Sequence, residues 1–310
     1  MKAFHRHLFM AYISVFSINI QAKTFLVFGG NTGWIGQKLV TILRTQGHTV
    51  HCATSRLEQR EHIENEINTI QPDAIINAAG ITGRPNVNWC ETHQQETIRA
   101  NLLGVLNLVD LAYQHNIHVT NLATGCIYQY DTQHPLGSGI GFTEEEKPNF
   151  TGSFYSRMKV LMEEAITPYP NLLNLRVRMP IAADLSPRGF VGKVAQYKKL
   201  VNIPNSMTIL EDLLPLISQM VERNLTGTYN FVNPGTISHN EVMDLYIQYI
   251  DPDHTYENFS IEEQDELLKV PRSNCELSAA KLCNEFPSIP HIKDALTRTF
   301  QKIKSQKQIK

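Results

Sequence analysis

Apolar and polar residues follow two spacings that alternate along the chain from residue 24 onward. Short apolar runs predict five buried strands, at residues 24–28, 49–53, 74–77, 119–123 and 173–177. Between these runs, apolar positions three or four residues apart predict helices over residues 34–43, 57–70, 91–115 and 153–165. Strands that alternate with helices of this length form βαβ units, so the pattern predicts a doubly wound parallel sheet of the α/β class.

The alternation weakens after Pro180, where loops rich in Pro, Gly and Asn begin. A helix near residues 210–223, a strand at 227–232 and a helix at 239–249 still follow. We therefore predict two interleaved parts and a tail. The large domain comprises residues 23–181 and 206–234, the smaller α/β lobe comprises 182–205 and 235–302, and the lysine-rich tail, expected to be a frayed helix end, comprises 303–310.

The first 22 residues form an N-terminal extension of uncertain role. Lys2 and Arg6 precede an apolar run over residues 8–20, a composition similar to that of a secretory signal. The run is shorter than the ~20 apolar residues that a membrane-spanning helix needs, so we expect no membrane span. The alternatives are an extension packed on the domain and a start of translation at Met10.

Charge and cysteine content exclude several classes of function. The chain has 28 basic and 30 acidic side chains, a formal net charge of −2, so no sequence-wide positive field can hold nucleic acid or anionic lipid. The five cysteines are widely spaced and include no Cys-x-x-Cys pair. We expect neither a disulfide framework nor a metal site, and a reducing, cytoplasmic location is favoured.

A glycine-rich turn lies between the first predicted strand and the first predicted helix. Its residues are Gly30, Asn31, Thr32, Gly33, Trp34, Ile35 and Gly36. Glycine permits a tight turn and a close approach of a diphosphate to the backbone, and the helix N-terminus supplies amide hydrogens. In this strand-turn-helix context the glycines predict a dinucleotide site, which makes the large domain a Rossmann domain and the smaller lobe the substrate-binding part.

The residues after the second and third strands bear on the choice of cofactor. Ser55 and Arg56 stand where NAD-binding proteins usually have an acidic residue that accepts from the ribose 2′-hydroxyl. Both can bind a 2′-phosphate, which favours NADPH over NADH, although Arg56 also fits a solvated arginine at a helix start. After the third strand, Ala78, Ala79 and Gly80 are small enough for the cofactor to pass, or form only a tight turn.

A Tyr-x-x-x-Lys pair, Tyr155 and Lys159, falls on a predicted helix, where residues four apart share a face. A lysine charge near a phenol is expected to lower the phenol pKa, and the phenol can then protonate a carbonyl oxygen while hydride reaches the carbon. Thr124 follows a predicted strand, at the sheet edge where α/β proteins bind ligands. The three residues predict a carbonyl reductase site.

These motifs occur in the order found in the extended short-chain dehydrogenase/reductases. Narrower similarity lies in Ala123-Thr-Gly-Cys-Ile-Tyr128, Pro148-Asn-Phe-Thr-Gly-Ser-Phe-Tyr155, Leu175-Arg-Val-Arg-Met-Pro180 and Pro271-Arg-Ser-Asn274. There the chain resembles the bifunctional UDP-4-keto-6-deoxyglucose 3,5-epimerase/4-reductases, which also form the C-terminal domain of plant rhamnose synthases. The resemblance implies epimerisation of a 4-keto sugar at C3 and C5, followed by reduction at C4 by NADPH to give UDP-rhamnose.

The resemblance also implies an acid/base pair for the epimerisation, and this pair corresponds to Cys126 and Lys193. On a strand, Cys126 would share a face with Thr124, although most cysteines are inert buried thiols. Lys193 would otherwise be taken as a surface lysine. Candidate substrate contacts are Arg272, whose guanidinium fits a diphosphate or a structural ion pair, and more loosely Arg84, Asn86, Asn202 and Met207.

Two other functions stay open at this point. A 4-reductase that depends on a separate epimerase would have no use for the thiol of Cys126. A non-catalytic regulatory subunit, similar to the reductase-like β subunit of methionine adenosyltransferase, would not need Thr124, Tyr155 and Lys159. In the favoured function the substrate is a UDP-sugar, a UDP-glucose 4,6-dehydratase on another protein supplies it, and a homodimer is an open alternative to a monomer.

Overall fold

The structure is a computed structural model that describes residues 21–83, 86–260, 262–263, 266, 268 and 270–308. Its centre is a six-stranded sheet in which every neighbouring pair is parallel. In spatial order its strands are β10 (Gly227–Phe231), β5 (Leu172–Val177), β4 (His118–Thr124), β3 (Ala74–Asn77), β1 (Thr24–Phe28) and β2 (Thr49–Cys52). The chain winds outward from β1 to β2 and then returns to the other side of β1, which opens a ligand crevice at the carboxyl ends of β1 and β3.

Helices cover both faces of this sheet, as the apolar pattern predicts. The α-helices of both parts of the fold are, in chain order and among the described residues, α1 (Trp34–Thr45), α2 (Arg60–Ile70), α3 (Trp89–Thr92), α4 (Gln94–Ile98), α5 (Gly104–Gln114), α6 (Phe154–Ile166), α7 (Phe190–Val194), α8 (Leu210–Leu213), α9 (Leu216–Glu222), α10 (His239–Tyr249), α11 (Ala280–Glu285) and α12 (Ile292–Gln308). Phe25 and Val27 pack on the side of α1, α8 and α9, whereas Leu26 and Phe28 pack on the side of α2, α5 and α6. This alternation along β1 explains why the strand is apolar at every position from Phe25 to Phe28.

Two predicted helices are interrupted. The helix expected over residues 91–115 breaks at His93, which leaves α3 and α4 separate, and then passes through a π-helical turn, Arg99–Leu103, before α5 begins. The helix expected over residues 210–223 is divided into α8 and α9 at Pro215, which caps α9. Proline has no amide hydrogen to continue the helical hydrogen-bond ladder, so the division is local in origin.

The smaller lobe is built from three two-stranded pairs and the helices α7, α10 and α12. The pairs are β6 (Pro180–Ile181) with β9 (Thr208–Ile209), β7 (Lys199–Val201) with β12 (Glu257–Phe259), and β8 (Pro204–Asn205) with β11 (Ile237–Ser238). Val242, Leu296 and Phe300 form part of its core. Helix α12 runs on to Gln308 and buries Ile303, so most of the tail expected to fray is ordered helix. Among the described helices, none is long and apolar enough to cross a bilayer.

Candidate active site

The glycine turn has the geometry of a diphosphate cradle. Gly29 adopts a positive φ of 79°, and the amide of Gly33 donates to its carbonyl at 3.0 Å. A Cβ on Gly33 would lie 2.5 Å from that carbonyl oxygen, and one on Gly36 would lie closer still, so neither position tolerates a side chain. Within the described residues no side chain caps α1 and none in its first turn is acidic. The free amides of this helix N-terminus therefore fit an anionic diphosphate.

Side chains from the smaller lobe hold the glycine turn in place. Asp184 accepts from the indole nitrogen of Trp34 at 2.8 Å and pairs with the Lys38 ammonium at 2.7 Å. The Arg188 guanidinium donates to the carbonyl of Thr32 at 2.7 Å. Burial raises the pKa of Asp184, but the hydrogen bonds from Lys38 and Trp34 outweigh it, so the net effect is a lowered pKa. The carboxylate therefore stays charged and links the lobe to α1.

The turn after β2 holds the residues predicted to choose between NADPH and NADH. The Asn31 amide donates to the carbonyl of Ala53 at 3.0 Å, which ties the glycine turn to the end of β2. The Ser55 hydroxyl donates to the carboxylate of Glu66 at 2.7 Å. The Arg56 side chain is 77% exposed, with its Nε 3.9 Å from the Glu58 carboxylate. Arg56 is therefore free to turn toward a bound ligand.

The turn after β3 passes beside Lys159. Ala78 lies against the glycine turn, because a Cβ on Gly29 would come within 2.8 Å of its carbonyl. The Ala79 amide donates to the Asn77 side chain at 3.0 Å. A Cβ on Gly80 would lie 3.2 Å from the Asn101 amide oxygen and 3.8 Å from the Lys159 nitrogen. Small residues here keep open the space that leads to Lys159.

Asn101 is a site residue that the sequence reasoning missed. It lies in the π-helical turn between α4 and α5 and is fully buried. Its side chain accepts from the amide of Ile81 at 2.9 Å and donates to the carbonyl of Ile81 at 2.7 Å. The wider turn brings this side chain to the loop after β3. An asparagine within an apolar helical pattern is the only signal that the sequence carries for it.

The three predicted reductase residues come together. Thr124 ends β4, Tyr155 lies in the first turn of α6, and Lys159 lies one turn later. All three are at most 6% exposed. Thr124 lies close enough to the Tyr155 hydroxyl to influence its pKa, and the Lys159 nitrogen lies 5.9 Å from the centre of the Tyr155 ring. The Ser153 hydroxyl caps α6 by accepting from the amide of Ser156 at 3.0 Å, which fixes where the helix begins.

The electrostatics of this trio differ from the sequence-based expectation. Burial raises the pKa of Tyr155, the Cys126 thiol acts in the same direction, and the hydrogen bond with Thr124 opposes them. Burial also lowers the pKa of Lys159 to about 8, although the Glu163 carboxylate raises it. The expected lowering of the phenol pKa by Lys159 is therefore wrong for this state of the protein. Tyr155 keeps its proton at neutral pH, as a general acid must.

Glu163 continues the column of side chains along α6, one turn beyond Lys159. Its carboxylate accepts from the Arg176 Nε at 3.0 Å and from the Asn174 amide at 3.0 Å. The side chains of Glu163 and Arg176 are only 8% and 3% exposed. The sequence reasoning missed this pair, because residues 13 positions apart on a helix and a strand carry no local pattern that joins them.

Cys126 lies beside Thr124 and Tyr155, but not for the predicted reason. Strand β4 ends at Thr124, and Cys126 lies in the turn that follows. The turn folds back because the Cys126 amide donates to the Thr124 hydroxyl at 3.1 Å. The half-buried thiol packs in the cluster that contains Tyr155, and an Arg178 nitrogen points at its sulfur from 3.6 Å. The predicted proximity is confirmed, whereas the shared strand face is wrong.

Arg178 was also not assigned a role from the sequence. It directly follows β5, is 1% exposed, and donates to the carbonyls of Gly125 at 3.2 Å and Ser273 at 2.8 Å. Within the described residues none of its partners is a carboxylate. A buried guanidinium without a counter-ion stabilises negative charge on whatever neighbour can develop it, and the Cys126 sulfur is such a neighbour.

Lys193 lies on α7, the short helix that follows the segment containing Asp184 and Arg188. Its side chain is half-buried, and burial lowers its pKa. A lysine with a lowered pKa exchanges protons more readily near neutral pH.

The predicted substrate contacts have different environments. Burial lowers the pKa of the half-buried Arg272, and Tyr197, Cys126 and Glu91 oppose this effect, which places its guanidinium in the same region as the thiol. Asn202 is exposed in the loop between β7 and β8.

The remaining two contacts and the last predicted residue do not all fit a role in binding. Asn86 is half-buried and accepts from the amide of Asn88 at 2.9 Å. Met207 is fully buried in the core of the lobe, so its predicted contact with the base is wrong in this conformation. Arg84 lies outside the described residues.

This chain is similar to a family of known proteins. The family model described as "NAD dependent epimerase/dehydratase family" matches residues 26–196, which is more than half of the chain. The chain belongs to this family. Its members' nicotinamide cofactor accounts for the diphosphate cradle and for the buried Thr124, Tyr155 and Lys159 at the sheet edge.

Several relatives in this family are similar over most of the chain. A bifunctional dTDP-4-dehydrorhamnose 3,5-epimerase/reductase of Arabidopsis thaliana is 52% identical over 88% of this chain and 91% of its own length. A trifunctional UDP-glucose 4,6-dehydratase/UDP-4-keto-6-deoxy-D-glucose 3,5-epimerase/UDP-4-keto-L-rhamnose reductase of the same plant is 50% identical over 88% of this chain. This chain spans only 41% of that protein. The predicted resemblance is confirmed.

Two solved structures confirm the predicted fold. The UDP-rhamnose synthase of Acanthamoeba polyphaga mimivirus has a TM-score of 0.86 at 38% identity, covering 91% of this chain and 100% of that one. A dTDP-4-dehydrorhamnose reductase of Bacillus anthracis, solved in complex with NADP, has a TM-score of 0.77 at 18% identity, covering 91% of this chain and 99% of that one. The second likeness concerns the fold alone.

Proposed function

We propose that this family member converts UDP-4-keto-6-deoxyglucose to UDP-rhamnose, by epimerisation at C3 and C5 followed by NADPH-dependent reduction at C4. The observation that carries the proposal is the position of Cys126, whose amide donates to the Thr124 hydroxyl and whose thiol packs in the cluster that contains Tyr155. Reduction alone needs no thiol at that place. Relatives named for both the epimerase and the reductase activity support the same conclusion.

In the epimerisation, Cys126 and Lys193 form the acid/base pair. One of them removes a proton from the carbon next to the ketone, and the other returns a proton on the opposite face of the sugar ring. The electron pair of the broken C–H bond moves into an enolate, whose oxygen accepts from Thr124 and Tyr155. Arg178 stabilises negative charge on the sulfur through the N–H that points at it.

In the reduction, the same two hydroxyls hold the C4 carbonyl oxygen. A bound nicotinamide dinucleotide supplies hydride to the C4 carbon. Tyr155, which keeps its proton because burial raises its pKa, gives that proton to the oxygen, and the hydroxyl of the product results. Lys159 supplies a positive charge next to the phenol, and Arg272 is the proposed contact for the diphosphate of the substrate.

The preference for NADPH rests on the turn after β2. The exposed Arg56 offers a guanidinium to a 2′-phosphate, and Ser55 offers a hydroxyl once that hydroxyl is released from the Glu66 carboxylate. Among the described residues, no acidic residue stands at the end of β2. The residue type that usually accepts from a ribose 2′-hydroxyl is therefore absent at that position.

The substrate would come from a UDP-glucose 4,6-dehydratase, an activity that the trifunctional relative carries in its name. We further propose a homodimer, because Leu103 and Leu161 are 46% and 47% exposed on the side formed by the π-helical turn and α6. Light scattering at several protein concentrations tests the dimer.

The five free cysteines support a reducing, cytoplasmic location, which cell fractionation tests.

The decisive experiment follows deuterium in the substrate. The purified chain is incubated with UDP-4-keto-6-deoxyglucose in heavy water, with and without NADPH, and the sugar is analysed by NMR. We expect deuterium at C3 and C5 without cofactor, and UDP-rhamnose once NADPH is added. Cys126→Ala and Lys193→Ala should suppress exchange while Tyr155→Phe suppresses reduction.

Matched controls separate chemistry from general damage. Cys283→Ala removes a half-buried thiol elsewhere in the fold, and Lys198→Ala removes an exposed lysine near α7; neither should change exchange. Wild-type exchange in both Cys126→Ala and Lys193→Ala would refute the acid/base assignment. A protein that shows no exchange, yet reduces the ketone when an external epimerase is present, would be a 4-reductase only.

A further inference from the structure

The turn after β2 is an anion cradle that already holds a carboxylate. Four donors of Thr54 and Ser55 converge on Glu66 of α2: the two backbone amides, at 2.7 and 3.2 Å, and the two hydroxyls, with the Ser55 hydroxyl at 2.7 Å. Burial raises the pKa of Glu66, but these hydrogen bonds outweigh it and lower the pKa overall. The carboxylate is therefore charged, and it uses every donor that the two residues offer.

This cradle borders the dinucleotide site. Thr54 directly follows Ala53, whose carbonyl accepts from Asn31 of the glycine turn at 3.0 Å. In doubly wound sheets the adenosine ribose of the cofactor lies at the end of the second strand, so its 2′-substituent points at this turn. A cleft of about 290 Å³ opens at the same place, and it is lined by Thr54, Ser55, Gln59, His62, Asn65 and Glu66.

We propose that the Glu66 carboxylate competes with the 2′-phosphate of the cofactor for the Thr54 and Ser55 donors, and that Glu66 thereby sets how strongly this protein binds 2′-phosphorylated dinucleotides. A carboxylate and a phosphate cannot both accept from the same donors, and their negative charges repel each other when both lie at this turn. Binding of NADPH therefore requires Glu66 to leave the cradle, whereas a ligand with a free 2′-hydroxyl does not. The inference rests on the proposed function only in placing the 2′-phosphate at this turn.

Arg56 supplies the positive charge that balances the 2′-phosphate once Glu66 has left the cradle. Its side chain is 77% exposed and only loosely paired with Glu58, at 3.9 Å. When the phosphate replaces the carboxylate, the guanidinium can bind it bidentately from the solvent side. Glu66, half-buried on α2, then turns outward to water.

The test measures binding of cofactor fragments, without catalysis. Adenosine 2′,5′-bisphosphate and 5′-AMP differ in the 2′-phosphate alone, and isothermal titration calorimetry gives their dissociation constants. For Glu66→Gln and Glu66→Ala we expect the bisphosphate to bind about tenfold more tightly, since a like charge is removed from its site, and 5′-AMP to change less than twofold. Glu64→Gln, two residues away on the same helix, is the matched control and should change neither.

Each other result overturns the proposal. Weaker binding of the bisphosphate would mean that Glu66 organises the cradle instead of competing for it. Equal changes for both fragments would mean a general effect on the fold, which melting temperatures of the variants check. Tighter binding in Glu66→Gln but not in Glu66→Ala would show that the new amide binds the phosphate. The affinities of the wild-type protein for NADPH and NADH test the proposed cofactor preference separately.

Discussion

Lys159 is a buried charge whose removal should stabilise the protein. It is 5% exposed, and burial lowers its pKa from 10.5 to about 8. At ~1.4 kcal/mol for each factor of ten in a protonation equilibrium, that change corresponds to roughly 3 kcal/mol of unfavourable burial. Lys159→Met keeps most of the side-chain volume and removes the charge. We expect the variant to be more stable than the wild type at pH 7 and to lose reductase activity.

The dependence on pH gives this prediction a definite sign. Below pH 8 the lysine is protonated in the folded and the unfolded chain, so the full penalty applies to the wild type. Between about 8 and 10.5 the folded protein has released the proton while the unfolded chain still binds it, so the stability of the wild type rises with pH. The advantage of Lys159→Met is therefore largest at neutral pH and declines toward pH 10.

Urea denaturation of the cofactor-free protein at pH 7 and pH 9.5 measures both effects, provided that the slope m is unchanged. Lys302→Met, at an exposed position on α12, is the control and should show no difference that depends on pH. A Lys159→Met protein that is no more stable than the wild type at pH 7 would refute the reasoning. So would an advantage that stays constant up to pH 9.5.

Three further changes have expected outcomes. Glu163→Gln should lower the free energy of unfolding, measured by urea denaturation, by ~3–5 kcal/mol, because it leaves the buried Arg176 without its counter-ion. Glu164→Gln, at an exposed position on the same helix, is the control and should change it little. Equal losses in the two variants would contradict this explanation. Gly33→Ala should abolish dinucleotide binding in calorimetry, since its methyl group would lie 2.5 Å from a backbone carbonyl. Asp184→Asn should lower the melting temperature in low salt and less so in 1 M NaCl, because salt screens the ion pair of Asp184 with Lys38. A loss that does not depend on salt would mean that this ion pair is not its cause.

The strands were predictable because burial on both faces leaves a direct record in the sequence. The strand Ala74–Asn77 was predicted with its correct bounds, and so was β1. The glycine turn was also predictable, since its steric requirement is local. The break at His93 and the π-helical turn after it were not, because residues 91–115 keep helical apolar spacing throughout. The π-helical turn places Asn101 in a tertiary contact with the loop after β3, which local spacing does not record.

The polar partners of the site were unpredictable for a related reason. Arg178 contacts Ser273, 95 positions later in the chain, and Glu66 reaches back to Ser55 across the end of β2. Neither pair has a spacing that a single sequence could reveal. Cys126 was placed correctly through the family resemblance, but its proximity to Thr124 depends on a turn, which the strand periodicity could not predict.

The two arginines at the end of β5 divide the chemistry of the site between them. Arg176, within β5, holds Glu163 one turn beyond Lys159. Arg178, in the segment that follows the strand, points a nitrogen at the sulfur of Cys126. Arg178→Lys keeps the buried charge but loses the forked geometry, so we expect deuterium exchange at C3 and C5 to slow at least tenfold. The dissociation constant for NADPH should change less than twofold, because no contact of Arg178 lies in the glycine turn. Loss of exchange and of cofactor binding together would instead mean that Arg178 supports the fold as a whole.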